Sequence, residues 1–131
     1  MNKIDVYSDG GAKHNGNPEK REAYGSYKII ANDFEYHKKK EKYSNESNNQ
    51  AEYIALINAL KYVKNNVKNK LSKNIIAFVD SQLIIGQISQ NRQVKAPHLK
   101  PLQEEASTLV KELNVKLVKV PREVLVKELG H

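Results

Sequence analysis

The chain has no cysteine and no tryptophan among its 131 residues, and it contains a single methionine. The lack of cysteine excludes disulfide bonds and thiolate metal ligands, so any bound metal must be held by carboxylate, carbonyl or imidazole groups. No stretch approaches the ~18 consecutive apolar residues of a membrane-spanning helix, and no signal-peptide pattern opens the chain. These absences predict a cytoplasmic protein that does not act on a membrane.

Acidic residues are in the minority: 15 Asp and Glu stand against 22 Lys and Arg, which gives a formal net charge of +7. Excess positive charge favours a polyanionic partner such as nucleic acid, but it also serves simply to keep a surface soluble. The basic run Lys38, Lys39, Lys40 and Lys42 fits both interpretations. Aromatic residues make up only 7% and are not interleaved with the basic segments, which disfavours a platform for stacking single-stranded bases.

The length is that of one domain with a proper core, and we expect a single domain over residues 1–131. Apolar periodicity predicts three strands linked as an antiparallel meander, followed by a helix, a strand, two helices, a strand and a final helix. The predicted elements are strands within 3–11, 23–30 and 34–43, helix 50–67, strand 75–79, helices 83–88 and 102–113, strand 115–120 and helix 122–129.

The first strand, KIDVYSDGG, alternates until it reaches an acid followed by two glycines. Gly10 and Gly11 allow either a sharp turn or the close approach of another backbone, and we expect the segment 12–22 to be a loop. A carboxylate at such a strand end is well placed for chemistry, whereas its structural alternative is to begin a turn. Asp9 is therefore a candidate site residue.

The helix predicted at 50–67 carries an acid near its start. Ser47, Asn48 or Asn49 can cap it. We place Glu52 in the first turn, where a negative charge suits the helix dipole. The residues three, four and seven positions after Glu52 are all apolar, so this acid also lies on or beside the buried face. An ionised acid there needs a partner, and a cation is a natural one.

A third acid follows the apolar run IIAFV at 75–79, which predicts a strand covered on both faces. Asp80 lies at its carboxyl end, where open α/β sheets place binding sites; alternatively it caps the helix beginning near Ser81. If strands one and four are neighbours, Asp9, Glu52 and Asp80 converge and repel one another unless cations neutralise them. Oxygen ligands suit Mg²⁺ or Mn²⁺, and two such ions ~3.5–4 Å apart can assist phosphodiester hydrolysis.

Four stretches in order resemble ribonuclease H, type I: YSDGGAK, SNNQAEYIALINAL, FVDSQLIIGQI and VKAPHLKPLQEEA. The later VPRE resembles the segment that leads into that family's last helix. The resemblance implies an α/β ribonuclease H-like fold, a mixed five-stranded sheet with its first three strands antiparallel and flanked by helices. It also implies cleavage of the RNA strand of RNA–DNA hybrids, assisted by two Mg²⁺ ions, for which Mn²⁺ substitutes. We expect a monomer with no obligate protein partner.

By this resemblance, Asp9, Glu52 and Asp80 match the family's catalytic, metal-binding acids. The substrate-binding residues that we expect are Gly10, Gly11, Asn48, Asn49, Gln50 and Ser81, with Gln82 as a weaker addition. The amide side chains among them suit the minor groove because they both donate to and accept from the 2′-hydroxyl, although helix capping is the alternative for the asparagines. Lys95, His98 and Lys100 either meet the hybrid backbone or are solvated surface charges.

The family's fourth acid is missing. Leu129 stands seven residues after Arg122, where an aspartate is expected. Glu128 and His131 are the neighbouring candidates, three residues apart on one helical face. We favour His131 as the fourth catalytic and metal-binding residue, since an imidazole can replace a carboxylate ligand. The alternatives are that His131 is a terminal residue or tag remnant, and that Glu128 is a surface acid.

Other departures leave two rival functions open. The loop after the first acid is longer and more charged than usual, and the basic protrusion and histidine loop of some members are missing; His14 and His98 are minor candidates for a proton shuttle. One rival is a DNA nuclease on the same fold, which the SNNQAE block disfavours. The other is a non-catalytic nucleic-acid-binding module, which three intact acids disfavour, because clustered negative charge would oppose a phosphate backbone.

Overall fold

A computed structural model describes residues 3–67, 74–90 and 93–130. The strands in these ranges are β1 (Lys3–Lys13), β2 (Glu22–Ala31), β3 (Phe34–Lys42), β4 (Asn74–Val79) and β5 (Val115–Lys119). The helices are α1 (Asn48–Asn66), α2 (Gln82–Ser89), α3 (Lys100–Leu113) and α4 (Arg122–Leu129), with a single 3₁₀ turn at Pro97–Leu99 before α3. The predicted order of elements is confirmed.

The five strands form one mixed sheet in the order β3-β2-β1-β4-β5. β1 pairs antiparallel with β2 and β2 antiparallel with β3, as the short links between them require, whereas β4 runs parallel to β1 and β5 parallel to β4. The helical connections before β4 and β5 allow these parallel crossovers. The carboxyl ends of the parallel strands β1, β4 and β5 consequently point towards the same end of the sheet.

Helices cover the sheet unequally. α1 packs on β1 and β2 and α3 packs on α1, so these two helices bury one face, while α4 packs on β1 and β2 from the other side. In β1, Ile4 and Val6 point towards α1 and are fully buried, whereas Tyr7 faces the α4 side and stacks on Phe78 of β4 with ring centroids 4.8 Å apart. Within the described ranges, none of the helices has the length and apolar character needed to cross a membrane.

α1 begins two residues earlier than its apolar periodicity predicts. Ser47 is the N-cap, and its hydroxyl accepts from the Gln50 backbone N–H, while the Gln50 side chain accepts from the Ser47 N–H at 2.8 Å. This capping box satisfies two backbone donors that would otherwise lack partners. Because the helix starts at Asn48, our placement of Glu52 in the first turn is wrong, and the first turn contains no acid.

β1 does not end at Asp9, which decides between the two alternatives that the sequence left open at Gly10 and Gly11. The antiparallel ladder continues through Gly10–Gly25 and Gly11–Tyr24 to Lys13–Glu22, so residues 12, 13 and 22, predicted as loop, belong to strands. The chain does not turn at Gly10; instead this glycine allows the backbone of a neighbouring element to approach closely. A Cβ atom at Gly10 would overlap the Ala51 carbonyl oxygen of α1.

Candidate active site

Register between two parallel strands brings the first and third acids together. Tyr7 of β1 is the partner of Phe78 of β4. Asp9 and Asp80 each follow two residues later, so they stand at the same level of the sheet, at the carboxyl end of β4. Neighbouring strands lie ~4.8 Å apart, which makes the backbones of Asp9 and Asp80 immediate neighbours. The convergence expected if strands one and four were adjacent is therefore met for this pair.

Glu52 reaches the same place because α1 lies directly on β1. A Cβ atom at Gly10 would stand 2.7 Å from the Glu52 backbone nitrogen, so the second turn of α1 touches the strand one residue beyond Asp9. Only glycine permits this approach. The side chain of Glu52 is largely but not completely buried, as the apolar pattern of the helix indicates.

The electrostatic environment of Glu52 shows which groups surround it. Burial is the main reason why the pKa of Glu52 rises from its usual 4.5 to about 7, and the negative charges of Asp80 and Asp9 raise it further. Two groups act in the opposite direction: the Ser81 hydroxyl donates a hydrogen bond to the Glu52 carboxylate, and Arg122 contributes a positive charge. These five residues come from four separate parts of the chain, since Asp80 and Ser81 are adjacent, and they form one polar cluster.

The chemistry of this cluster fits a divalent cation. No group of three or more His, Asp or Glu side chains in the described ranges is arranged so that it could hold a metal ion without moving. The three carboxylates nevertheless offer only oxygen donors, which is the ligand type that Mg²⁺ and Mn²⁺ prefer. Burial and, after it, the repulsion from Asp80 and Asp9 raise the pKa of Glu52, and a bound cation would relieve this repulsion. Asp9, Glu52 and Asp80 are therefore the residues of this cluster that would hold metal.

The asparagines expected to bind substrate lie at the start of α1, beside the β1–β2 loop. The Asn48 side-chain carbonyl accepts from the Ala12 N–H, and the Asn48 N–H donates to the Asn15 side chain at 2.9 Å. Asn48 therefore ties the end of β1 to the helix that carries Glu52. Asn49 is exposed, and Gln50 belongs to the capping box with Ser47. Neither asparagine is the cap, which removes that alternative for both.

Ser81 has a structural task besides its contact with Glu52. Its hydroxyl oxygen accepts from the Ile84 N–H at 3.2 Å and caps α2, so Asp80 is not the cap. Gly11 lies under the Tyr24 hydroxyl, where a Cβ atom would approach to 2.7 Å. The remaining candidates are exposed: Gln82 at the start of α2, His14 in the β1–β2 loop, and Lys95, His98 and Lys100 ahead of or at the start of α3.

α4 runs away from the acids. Arg122 at its first residue acts on Glu52, whereas Glu128 near its end lies 3.5 Å from the Lys28 ammonium of β2. Glu128 is not among the groups that shift the pKa of Glu52; it raises that of Tyr7 instead. Leu129, at the position of the expected fourth acid, is fully buried in the core. His131, our favoured fourth residue, lies outside the described residues.

Arg122 is the member of the cluster that the sequence analysis missed. It was used only as a reference point for counting to the expected fourth acid, although the resemblance of VPRE already placed it at the start of the last helix. Because β5 is parallel to β4, a helix that begins directly after β5 starts at the same end of the sheet as Asp80. That reasoning from topology was available and would have brought Arg122 to the acids.

The chain is similar to known proteins in both sequence and fold. Residues 1–126 match the family model described as RNase H. LC11-RNase H1, isolated from compost by a metagenomic approach and solved in complex with an RNA/DNA hybrid, is 30% identical; the match covers 97% of this chain and 93% of that one, with a TM-score of 0.83. RNase H1 from the halophilic archaeon Halobacterium salinarum NRC-1 matches with 24% identity, the same coverages and a TM-score of 0.82.

A third similar structure is the N-terminal RNase H domain of rv2228c from Mycobacterium tuberculosis, with 25% identity, coverage of 97% of this chain and 88% of that one, and a TM-score of 0.80. The fold is that of the ribonuclease H-like proteins, and the fold class predicted from the sequence is confirmed. The chain belongs to the RNase H family.

Proposed function

We propose that this chain is an endoribonuclease that hydrolyses the RNA strand of RNA–DNA hybrids. The reaction uses two Mg²⁺ ions, and Mn²⁺ can replace them. The observation that carries the proposal is the convergence of Asp9, Glu52 and Asp80 at the carboxyl end of β4 in a member of the RNase H family. We further propose that the chain acts as a single domain, as a monomer and in the cytoplasm.

The RNase H family typically uses divalent metals. In this chain Asp9, Glu52 and Asp80 would hold them, and a bound pair would supply a nucleophilic water and stabilise the leaving oxygen of the phosphodiester. The chain's own residues prepare the site. The Ser81 hydroxyl orients the Glu52 carboxylate. The packing of Gly10 against α1 fixes the distance between Glu52 and Asp9.

Support for the substrate comes from the residues beside the acids. LC11-RNase H1 was crystallised with an RNA/DNA hybrid. In this chain Asn48 holds the end of β1 against the start of α1, and exposed Asn49 lies next to it. An amide can both donate to and accept from a 2′-hydroxyl, the group that distinguishes RNA from DNA. We propose Gly10, Gly11, Asn48, Asn49, Gln50 and Ser81 as the substrate-binding residues.

The buried Leu129 favours a second candidate function. An apolar side chain in the core cannot provide the fourth acid, so a member with this residue can be a binding module that has lost turnover. Our proposal requires that three carboxylates suffice or that His131 completes the set. The two candidates differ in what Asp80 does: an enzyme needs its carboxylate for turnover, whereas a binding module does not.

The deciding experiment is cleavage of an end-labelled RNA–DNA hybrid with Mg²⁺, Mn²⁺ or EDTA, beside duplex DNA, duplex RNA and single strands. We expect metal-dependent cutting of the RNA strand in the hybrid alone. Asp80→Asn should abolish cutting and keep hybrid binding, and His131→Ala compared with Glu128→Ala identifies the fourth position. A wild-type protein that binds hybrid but cuts none with either metal would establish the binding module instead.

A further inference from the structure

The edge strand β3 presents a row of lysines on the same face of the sheet as Asp9. Cross-strand partners in a sheet point to the same side, so the pairing of β1 with β2 and of β2 with β3 defines rows that cross all three strands. From β1 to β3 these rows are Tyr7–Lys28–Lys38, Asp9–Ser26–Lys40 and Gly11–Tyr24–Lys42. Lys38, Lys40 and Lys42 form what we call the lysine row.

The lysine row has dimensions that match a nucleic-acid strand bound at the acids. Lys40 lies two strands from Asp9, a backbone separation of ~10 Å. From Lys38 to Lys42 the row extends over ~14 Å, because alternate residues of a strand are ~6.8 Å apart. A strand of duplex rises ~3.4 Å per phosphate, so the row spans about four nucleotides.

The charges of the lysine row have no ion-pair partner within the described residues. None of the three lysines forms an ion pair with any residue in the described part of the chain, and all three are exposed. Neighbouring lysines differ: Lys28 on the same face lies between Glu35 and Glu128, and Lys39 on the opposite face pairs with Glu41 at 3.6 Å.

A basic cavity continues the lysine row beyond Lys42. Its volume is about 510 Å³, and its walls include Lys13, Arg21 and Lys42, against one acid, Glu22. The Arg21 side chain is held in place because its Nε donates to the Asn45 side chain at 3.0 Å. Row and cavity together offer five cations on the side of the sheet where Asp9 lies.

We propose that the lysine row and the basic cavity bind the phosphate backbone of the nucleic acid whose cleaved bond lies at Asp9, over about four nucleotides to one side of that bond. The proposal rests on the function proposed above. The alternative is that the lysines of β3 only keep the surface soluble. Solubility does not explain why the described residues leave three lysines without an ion pair on one face of β3 and pair the lysine on the other face.

The row also touches α4, and the test must separate this contact from binding. The Lys40 ammonium donates to the Gly130 carbonyl at 3.5 Å, so removal of Lys40 can loosen the end of α4. Two variants are therefore needed: Lys38→Gln/Lys40→Gln/Lys42→Gln, and Lys13→Gln/Lys42→Gln, which leaves α4 untouched. The control that removes the same charge is Lys61→Gln/Lys64→Gln/Lys111→Gln, three exposed lysines on α1 and α3 across the sheet. Because Lys61 and Lys64 pair with Glu105 and Glu112, the stability of every variant is measured by urea unfolding as well.

Binding of a hybrid is measured against salt concentration, with Asp80→Asn in every protein so that nothing is cut. The triple row variant should raise the Kd at least about tenfold at 0.1 M salt and reduce the slope of log K against log salt by about two, since each lost phosphate contact removes ~0.7–0.9. The double variant should reduce the slope by about one to two. The control should match the parent protein.

Equal slopes for the row variants and the control would overturn the inference, as would a loss of affinity in the triple variant without one in the double variant. In the cutting-competent background, we expect the row variants to raise KM and leave kcat within about twofold, because the lysines contact backbone away from the cleaved bond. A wild-type protein that cuts no hybrid refutes the proposed activity, while unchanged slopes in a protein that cuts refute only the lysine row.

Discussion

The backbone of Gly10 on β1 lies against that of Glu52 on α1: a Cβ atom at position 10 would stand 2.7 Å from the Glu52 nitrogen. Gly10→Ala must therefore push α1 and its carboxylate away from Asp9. Overpacking of this kind costs about 1–3 kcal/mol of stability. Because a displacement of ~1 Å can reduce a rate ~100-fold, we expect a larger loss in hybrid cleavage than in stability. Cleavage assays and urea unfolding on the same protein measure both.

Gly16→Ala is the matched control for this substitution. Gly16 lies in the exposed β1–β2 loop, and a Cβ atom there meets nothing within 4 Å. It should keep wild-type cleavage and stability. If Gly10→Ala retained wild-type cleavage, the close contact would not be what positions Glu52.

Sequence periodicity predicted the order of elements because burial on a sheet or a helix repeats with a fixed period. It left open whether the chain turns at Gly10 and Gly11 or β1 continues through them, since glycine has no side chain to carry the pattern. The reason for both glycines is tertiary, the approach of Ala51 and Tyr24. The acids were found because each interrupts a local pattern at the start of a helix or the end of an apolar run.

Contacts between residues that are far apart in the chain could not be predicted from local sequence patterns. Glu128 meets Lys28, 100 residues away, and nothing around either residue announces the other. Helical spacing selected Glu128 and His131 as candidates for the fourth position, and His131 was favoured because an imidazole can replace a carboxylate ligand. Neither reason says in which direction α4 runs. That direction depends on the packing of α4 against β1 and β2.

Glu128→Gln should therefore have little effect on cleavage, within about threefold of wild type, because its carboxylate is engaged with Lys28 rather than with the acids. The measurement is the rate of hybrid cleavage at saturating substrate. Asp80→Asn serves as the reference for a lost metal-binding acid. A loss comparable to that of Asp80→Asn would mean that Glu128 fills the fourth position after all.

The raised pKa of Glu52 predicts a stability that depends on pH. Below pH 4.5 the carboxyl is protonated in both the folded and the unfolded chain. Between pH 4.5 and about 7 the unfolded chain releases the proton while the folded chain keeps it, so folding stability falls as pH rises. Glu52→Gln removes this loss. In metal-free buffer its free energy of unfolding should exceed that of wild type by up to about 3 kcal/mol at pH 8 and equal it at pH 4.

Urea unfolding of wild type, Glu52→Gln and Glu104→Gln at both pH values tests this expectation, with EDTA present. Glu104 is an exposed acid on α3 and controls for the loss of one negative charge. An equal gain at pH 4 and pH 8 would contradict a titration origin. Added Mg²⁺ should raise the stability of wild type at pH 8 more than that of Glu52→Gln, because a cation that binds only the folded chain stabilises it.

Arg122 should hold the pKa of Glu52 below the value that burial and the neighbouring acids alone would produce, since its positive charge favours the ionised carboxylate. Arg122→Gln therefore raises the pKa of Glu52 further, and Glu52 ionises at a higher pH. Carbon-13 NMR of the metal-free protein labelled at its glutamate carboxyl groups follows this titration directly. Arg21→Gln removes the same charge from the β1–β2 loop and should leave the titration of Glu52 unchanged. If the two variants gave the same curve, α4 would not begin at the acids, and the argument that its far end lies away from them would fail with it.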